Sequence, residues 1–281
     1  MRPRVLIAAL ATGVLTVAVA HAHPAVVEPP VVDTSFVSHG LKGPLRLAVY
    51  LPIDYGAEGR RYPVIYFLHG LPALPSAYRG ASFVADVLRD RAILVAPQGD
   101  HDGDADPEYL DWGPGRNWET ALAVELPAWI DAHFRTIPSR RGRALVGLSA
   151  GGYGAFLIGL HHLDAFGAIE SWSGYFHPTD PTGTQPLDTG SMTGNQRASV
   201  HALLPGVRAA LRAHPTFIGF YVGAADSRFA AENASLDQEL TAAGIPHLYQ
   251  VYPGGHEQTL WQDQAPYWLE LALTGLEAPR A

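Results

Sequence analysis

The pentapeptide Gly147-Leu148-Ser149-Ala150-Gly151 matches the pattern G-x-S-x-G and places a serine where it could act as a nucleophile. The apolar run Ala144-Leu145-Val146 precedes it, and a helical pattern beginning Gly151-Gly152-Tyr153 follows it. The chain must turn sharply here, and small neighbours let the strand and the helix pass each other closely. The turn predicts that the Ser149 hydroxyl projects above a sheet, at the positive end of a helix. The competing interpretation is a glycine-rich turn with a capping serine.

A serine hydroxyl needs a base that accepts its proton, and His256 is the candidate base. It ends the segment Tyr252-Pro253-Gly254-Gly255-His256, which directly follows the last predicted strand. Two glycines at this place allow the loop to bend an imidazole back over the sheet edge. The alternative is an exposed loop histidine. His161 and His162, at the end of a predicted helix, are instead expected to be solvated or capping groups.

Asp226 is the candidate acid that would orient the histidine and stabilise its imidazolium form. It ends the segment Gly223-Ala224-Ala225-Asp226, which follows a predicted strand, 30 residues before His256. Glu232 and Asp237 compete for this role, but both fall within a predicted helix. The alternative for Asp226 is that it only caps that helix. Serine, acid and histidine in this order match the chain order of one known hydrolase architecture.

Two backbone N–H groups would have to stabilise the oxyanion that forms when a serine attacks a carbonyl. The sequence predicts the amide of Ala150, directly after the nucleophile, as one donor. Leu71, in the loop His69-Gly70-Leu71-Pro72 after a predicted strand, is predicted to be the other. Pro72 has no N–H group and is excluded.

Short apolar stretches alternate with helical patterns along the chain, and these define the elements that must position the candidate residues. The predicted strands are 45–51, 63–68, 92–96, 143–148, 168–172, 216–222 and 247–251, and the predicted helices are 83–90, 118–134, 150–162, 200–213, 227–243 and 259–273. This alternation predicts an α/β fold with a mostly parallel central sheet and helices on both faces. Ligands of such sheets bind at the carboxyl ends of strands, where loops 98–116 and 178–195 are expected to lie.

Composition narrows the function classes further. The 281 residues are 47% hydrophobic and 16% charged, with a net charge of -8, which disfavours both a disordered chain and an electrostatic nucleic-acid binder. The absence of cysteine excludes disulfides, thiolate metal sites and a cysteine nucleophile. No dinucleotide or phosphate-binding glycine motif is present, so no cofactor is expected.

The first 22 residues have the pattern of a secretory signal peptide. Arg2 and Arg4 precede an apolar run over 5–20, and Ala20-His21-Ala22 supplies the small residues of a cleavage site. We therefore expect a secreted bacterial protein that is cleaved near Ala22 and has no stable membrane insertion afterwards; the alternative is an uncleaved membrane anchor. Residues 23–33 are predicted to be an extended segment, and 34–281 a single domain.

Two further groups of side chains suggest binding. The aromatic residues Trp112, Trp118 and Tyr175 lie near predicted strand ends or on long loops, and are candidates for contact with a small-molecule or carbohydrate-linked substrate. Core packing is the alternative. The acidic residues of 100–111 alternate as in a calcium loop, but Ala105 occupies the position that needs glycine, so a solvated acidic rim is favoured and no metal site is predicted.

With these motifs the chain, over roughly residues 40–275, resembles the esterase family that includes esterase D, bacterial feruloyl esterases and secreted mycolyltransferases. The shared motifs are His69-Gly70-Leu71, Trp118-Glu119-Thr120, Glu125-Leu126-Pro127, the segment 147–152, Asp226 and Gly254-Gly255-His256. The resemblance implies the α/β-hydrolase fold and a catalytic triad of Ser149, Asp226 and His256. Mycolyltransferases usually have arginine at the position of Pro72 and glutamate at the position of Asp226, which favours hydrolysis over mycolyl transfer.

The resulting hypothesis is a secreted serine esterase that hydrolyses carboxylic esters through an acyl-enzyme. One alternative keeps the same site and passes the acyl group to a sugar hydroxyl. The other is a non-catalytic protein that binds cell wall or matrix.

Overall fold

The structure, a computed structural model, describes residues 29–56, 59–71, 91–99, 109–180 and 185–280. The predicted signal peptide 1–22, the predicted helix 83–90, Pro72 and residues 100–108 of the acidic loop lie outside these ranges.

The described strands form one eight-stranded sheet in the order β1-β2-β4-β3-β5-β6-β7-β8. Their bounds are β1 Val31–Ser38, β2 Gly43–Tyr50, β3 Val64–Leu68, β4 Ile93–Pro97, β5 Arg143–Leu148, β6 Ala168–Trp172, β7 Phe217–Gly223 and β8 Leu248–Tyr252. The strands from β4 to β8 pair in parallel, while β1 and β2 are antiparallel to their neighbours. The predicted mostly parallel sheet is confirmed.

Strand β1 is not among the strands predicted from the sequence, and only its first three residues, 31–33, belong to the segment 23–33 that is predicted to be extended. Its residues pair with β2 from Val31 opposite Tyr50 to Ser38 opposite Gly43. The strand is at the sheet edge and mostly accessible to solvent, so its sequence lacks the apolar run that marks the buried strands. Pairing with β2 therefore adds to the local preference of its valine, threonine and phenylalanine residues for extended backbone.

The described helices agree with the predicted ones to within about three residues at each end, with one addition. Their bounds are α1 with Trp118–Thr120, a π-helical turn Ala121–Glu125 and Leu126–His133, then α2 Ala150–His161, α3 Met192–Ala198, α4 Val200–Ala213, α5 Ala230–Ala242 and α6 Gln258–Thr274. Helix α3 lies partly in the segment 178–195, where no element is predicted. It is short and polar, and Ser191 caps it by accepting a hydrogen bond from the Gly194 N–H group.

Apolar side chains pack on both faces of the sheet. Helices α1, α2, α4 and α5 cover one face, and α6 packs on the other. Strands β3 and β4 are fully buried, which explains their unbroken apolar sequences. Within the described ranges, none of the helices combines the length and the apolar character that crossing a bilayer requires.

Glu170 is a carboxyl group buried within this sheet. It lies on β6 and is fully buried, on the face of the sheet that α6 covers. Burial raises the pKa of Glu170 well above its usual value, and the hydrogen bond from Trp172 Nε1 to Glu170 Oε2 (3.1 Å) opposes this only in part. The carboxyl group therefore keeps its proton at a pH at which an exposed glutamate is ionised.

This burial predicts a pH dependence of stability. Above the ordinary glutamate pKa of 4.5 the unfolded chain loses the Glu170 proton while the folded chain keeps it, so the free energy of unfolding falls as pH rises through that window. Glu170→Gln removes this titration, and we expect its free energy of unfolding to fall less between pH 5 and pH 8 than that of the wild type. Urea unfolding at four pH values measures the difference. The exposed Glu270→Gln is the matched control, and equal pH slopes for wild type and Glu170→Gln would contradict the prediction.

Candidate active site

Ser149 occupies a strained turn between β5 and α2. Its φ and ψ angles are 53° and -121°, a conformation that non-glycine residues rarely adopt. Three backbone hydrogen bonds hold it: the Ser149 N–H group donates to the Trp172 carbonyl (2.9 Å), and the Ser149 carbonyl accepts from Gly152 (2.9 Å) and Tyr153 (3.1 Å). These bonds offset the strain, and the side chain remains partly accessible at the carboxyl end of β5.

Two glycines allow the strand and the helix to approach as closely as the sequence predicts. A Cβ atom at Gly147 would lie 2.1 Å from the Gly151 carbonyl oxygen. A Cβ atom at Gly151 would lie 2.1 Å from the Leu68 carbonyl oxygen at the end of β3. Both contacts are with backbone, which cannot rotate away, so no larger residue fits either position.

The structure brings together the three side chains of the predicted triad. Ser149 Oγ lies 2.9 Å from His256 Nε2, and His256 Nδ1 lies 2.8 Å from Asp226 Oδ2. An ionised carboxylate only accepts hydrogen bonds, so this arrangement assigns the ring proton to Nδ1 and leaves Nε2 to accept from the serine hydroxyl. The His256 side chain is 13% exposed, and that of Asp226 is 1% exposed.

The loops that carry Asp226 and His256 are joined by backbone hydrogen bonds. Ala224 donates to the Tyr252 carbonyl and Ala225 donates to the Gly254 carbonyl, both at 2.8 Å. Gly254 has a φ of 118°, which a residue with a side chain would adopt only with strain. The glycine pair thus performs the bend that the sequence predicts and keeps the histidine next to the acid.

The surroundings of Asp226 favour its ionised form. Burial raises the pKa of this carboxyl group, but the hydrogen bond and charge of His256 and two backbone N–H groups outweigh burial and hold the pKa below its usual value. The backbone donors are Arg228 and Phe229, which bond to Oδ1 at 3.2 and 3.3 Å. The competing acids have other partners: Glu232 bonds to His177 and His201, and Asp237 bonds to His247.

The loop after β3 reaches the nucleophile. An ideal Cβ atom at Gly70 would lie 3.1 Å from Ser149 Cβ, so Leu71 follows at the border of the site. Buried His69 supports this loop through a contact of its Nδ1 with the Gly70 carbonyl (3.0 Å), and burial lowers the pKa of His69 to about 4, which keeps its ring neutral. Tyr109 donates its hydroxyl proton to the His69 carbonyl at 2.6 Å.

Ala150 is the first residue of α2, whose initial N–H groups have no acceptor within the helix. The positive end of the helix dipole also lies at this place. These features suit the stabilisation of a developing negative charge beside Ser149. The oxyanion roles of Leu71 and Ala150 remain predictions.

Two of the three aromatic residues predicted to contact substrate are buried, and the role of the third, Trp112, stays a prediction. Trp118 is fully buried in the core, and Tyr175 is 3% exposed and packed against Tyr153 and Phe229 at ring distances of 5.2 and 5.0 Å. Packing, the alternative interpretation, is the correct one for both. Trp112 is half-buried and lines a cavity of about 380 Å³ whose lining includes none of the triad residues.

Other candidate residues from the sequence have contacts outside the triad. His161 and His162, expected to be solvated or capping groups, are partly exposed at the end of α2, and both donate to the buried carboxylate of Glu119 at 2.9 Å. Burial raises the pKa of Glu119, but these two hydrogen bonds outweigh it and hold the pKa at about 2. Asp111 of the acidic loop accepts from the Thr120 N–H and hydroxyl groups at the start of α1. In the described part of the chain, no three histidine or acidic side chains are grouped to hold a metal ion.

Two residues near the triad have roles that no sequence motif predicts. Tyr109 fixes the loop after β3 from within the unpatterned segment 98–116. Phe229 contacts the His256 ring at a centroid distance of 5.3 Å, although its local sequence indicates only the start of a helix. Both act through contacts that depend on the folded arrangement of loops.

The sheet order, the strained serine turn and the loops that follow β7 and β8 define an α/β-hydrolase fold with a serine-centred site. Residues 38–266 match the model of the family described as "Putative esterase", and the chain belongs to that family. The family resemblance indicated by the motifs is therefore confirmed.

Individual relatives agree with this family. An esterase of Mycobacterium tuberculosis is 39% identical over 132 residues, covering 45% of this chain and 28% of that protein. The MPT51/MPB51 antigen of Mycobacterium bovis is 33% identical over 137 residues, covering 47% of this chain and 43% of the antigen. The matches thus span less than half of these relatives. A ferulic acid esterase structure superimposes with a TM-score of 0.76 at 24% identity, over 89% of this chain and 98% of that chain.

The close approach at the serine turn predicts which glycine substitution is tolerated. Gly151→Ala forces a Cβ atom against the Leu68 carbonyl, and we expect the free energy of unfolding to fall by more than about 3 kcal/mol. Gly206→Ala is the matched control, because Gly206 lies on the exposed side of α4 with no atom near the added Cβ. Alanine is the better helix former, so this control should gain up to about 1 kcal/mol. Equal unfolding free energies in urea for the two variants would show that the turn is not tightly packed.

Proposed function

We propose that this protein is a serine esterase that hydrolyses carboxylic esters through an acyl-enzyme intermediate. The observation that carries the proposal is the bridging position of His256, 2.9 Å from Ser149 Oγ and 2.8 Å from Asp226 Oδ2. Membership of the esterase family supports the same conclusion. The alternative interpretations, a serine that only caps a helix and a histidine exposed on a loop, do not explain why His256 bonds to both Ser149 and Asp226.

The geometry suits each step of the reaction. Ser149 Oγ attacks the ester carbonyl while His256 Nε2 accepts the hydroxyl proton, and Asp226 stabilises the resulting imidazolium. The amides of Leu71 and Ala150 stabilise the oxyanion. His256 then returns the proton to the oxygen of the departing alcohol, which leaves an acyl group on Ser149. Water, activated by His256, releases the carboxylic acid and restores the serine.

Secretion is part of the proposal. The support is the segment 1–22, in which Arg2 and Arg4 precede an apolar run and a small-residue cleavage sequence ending at Ala22. An enzyme released in this way would meet small esters or ester groups carried by carbohydrates outside the cell.

Substitution of the nucleophile tests the proposal. We expect Ser149→Ala to lower kcat/KM for p-nitrophenyl acetate by about 10³-fold or more, because the variant can no longer form the acyl-enzyme. Ser235→Ala, which alters an exposed serine on α5, is the matched control and should retain the wild-type rate. Wild-type kinetics in Ser149→Ala would exclude the proposed mechanism. A wild-type protein inactive on esters of varied acyl length would favour the non-catalytic binding protein.

A second candidate function is transfer of the acyl group to a sugar hydroxyl. It is favoured by the 33% identity to the MPT51/MPB51 antigen, together with the mycolyltransferase-like motifs of the sequence. In this reaction a sugar hydroxyl replaces water in the second half of the cycle, and His256 accepts its proton.

Product analysis distinguishes the two functions. The enzyme is incubated with an acyl ester and an excess of glucose or trehalose, and the products are separated by mass. Hydrolysis gives only free acid, and we expect this result because Asp226 and Pro72 depart from the mycolyltransferase pattern. An acylated sugar that is absent with Ser149→Ala would instead assign transferase activity.

A further inference from the structure

We propose that Ser173 and Trp261 together position the imidazole of His256, and we call this pair the Ser173–Trp261 brace. The two residues belong to different elements, since Ser173 follows β6 and Trp261 lies in the first turn of α6. Neither would touch the reacting atoms, so both are positioning residues. The effect of the brace on turnover rests on the proposed esterase function.

Trp261 contacts the catalytic imidazole directly. The ring centroids of Trp261 and His256 are 5.0 Å apart, and the ring planes are nearly perpendicular at 87°. This edge-to-face geometry is favourable for aromatic rings and restricts rotation of the smaller ring. Phe229 contacts the same imidazole at 5.3 Å, so two aromatic side chains from different elements pack against it.

Ser173 fixes the orientation of Trp261. The indole Nε1–H group of Trp261 donates to Ser173 Oγ at 3.0 Å. Ser173 is fully buried, so its hydroxyl is held away from solvent and its position is well defined. Its own N–H group donates to the Tyr221 carbonyl at 2.7 Å, which ties it to the neighbouring strand β7.

The backbone conformation of Ser173 indicates that a serine is needed here for its hydroxyl group. Its φ is 49°, in the left-handed region that costs a non-glycine residue energy. Glycine would adopt this conformation without strain, but it would offer no acceptor to the Trp261 indole. The adjacent residue, Trp172, accepts the hydrogen bond from the Ser149 N–H group at 2.9 Å. The end of β6 therefore holds both the nucleophile and, through Trp261, the base.

Such positioning matters because His256 must bond to Ser149 and Asp226 at once. Rotation of the imidazole breaks both hydrogen bonds, and proton transfer requires the heavy atoms to stay within hydrogen-bond reach. Substrate binding does not depend on the orientation of the imidazole, whereas proton transfer does. Rotation of the imidazole therefore lowers kcat and leaves KM nearly unchanged.

Helix α6 offers a matched control for the loss of an indole hydrogen bond. Trp268 lies on the same helix, and its Nε1–H group donates to the Tyr252 hydroxyl at 3.2 Å. Its ring packs against Tyr221 in the core. Trp268→Phe thus removes a comparable hydrogen bond without touching His256, and it should lower stability while kcat stays at the wild-type value.

The kinetic test compares Ser173→Ala, Trp261→Phe and the double variant with the wild type on p-nitrophenyl acetate, well below the Tm of every variant. Each single substitution removes the Trp261–Ser173 hydrogen bond, and we expect kcat to fall about fivefold to tenfold with KM changed by less than about twofold. Because both substitutions break one bond, the double variant should lose no more than the worse single variant. Wild-type kcat in either single variant, or losses that multiply in the double variant, overturn the proposal.

A spectroscopic test does not depend on turnover. Long-range ¹H–¹⁵N spectra of histidine-labelled protein report the tautomer and the mobility of His256, whose signals are identified by their loss in His256→Gln. We expect one sharp Nδ1-protonated form in the wild type and in Trp268→Phe, and broadened or averaged signals in Ser173→Ala and Trp261→Phe. Unchanged spectra in Ser173→Ala and Trp261→Phe would show that the Ser173–Trp261 brace does not position His256. If the wild type hydrolyses no ester, the proposed function fails, and these spectra still show whether the brace positions His256.

Discussion

The two hydrogen bonds of His256 are the interaction on which the rest of the site depends. Ser149 follows β5 and His256 follows β8, so three strand spacings, or about 14 Å, separate the strands that carry them. The loops after β7 and β8 must therefore extend back across the sheet. The backbone bonds of Ala224 to Tyr252 and of Ala225 to Gly254 join these loops and hold His256 within reach of Ser149.

The site also stores backbone strain at adjacent strand ends. Ser149 follows β5 with a φ of 53°, and Ser173 follows β6 with a φ of 49°. Each such conformation costs about 1–3 kcal/mol and persists only where the surrounding structure enforces it. The enforcing elements here are a sheet buried on both faces and the hydrogen bond from Ser149 to Trp172. Core packing thus maintains the geometry on which the proposed chemistry relies.

The sequence was most informative where local pattern and tertiary environment agree. Buried strands such as β3 are continuous apolar runs, and the glycines at 147 and 151 indicate a close crossing, so the fold and the convergence of Ser149, Asp226 and His256 could be predicted. The sequence does not predict the edge strand β1, because most of its side chains are accessible to solvent and no apolar run marks it. Pairing with β2 holds it in the sheet. Aromatic composition does not distinguish a core position from a binding surface, so the sequence leaves both interpretations open for Trp118, which lies in the core. The contacts of Ser173 with Trp261 join residues 88 positions apart, and no local pattern reveals them.

The central claim is that the fold activates one serine hydroxyl through one histidine. Labelling with a fluorophosphonate, followed by mass spectrometry of the peptides, tests it most directly because the reagent reacts with activated serines and needs no knowledge of the substrate. The account predicts a single adduct, on Ser149, whose formation is abolished by His256→Gln and strongly slowed by Asp226→Asn. An unlabelled wild-type protein, or an adduct that forms on Ser149 equally fast without His256, would contradict it.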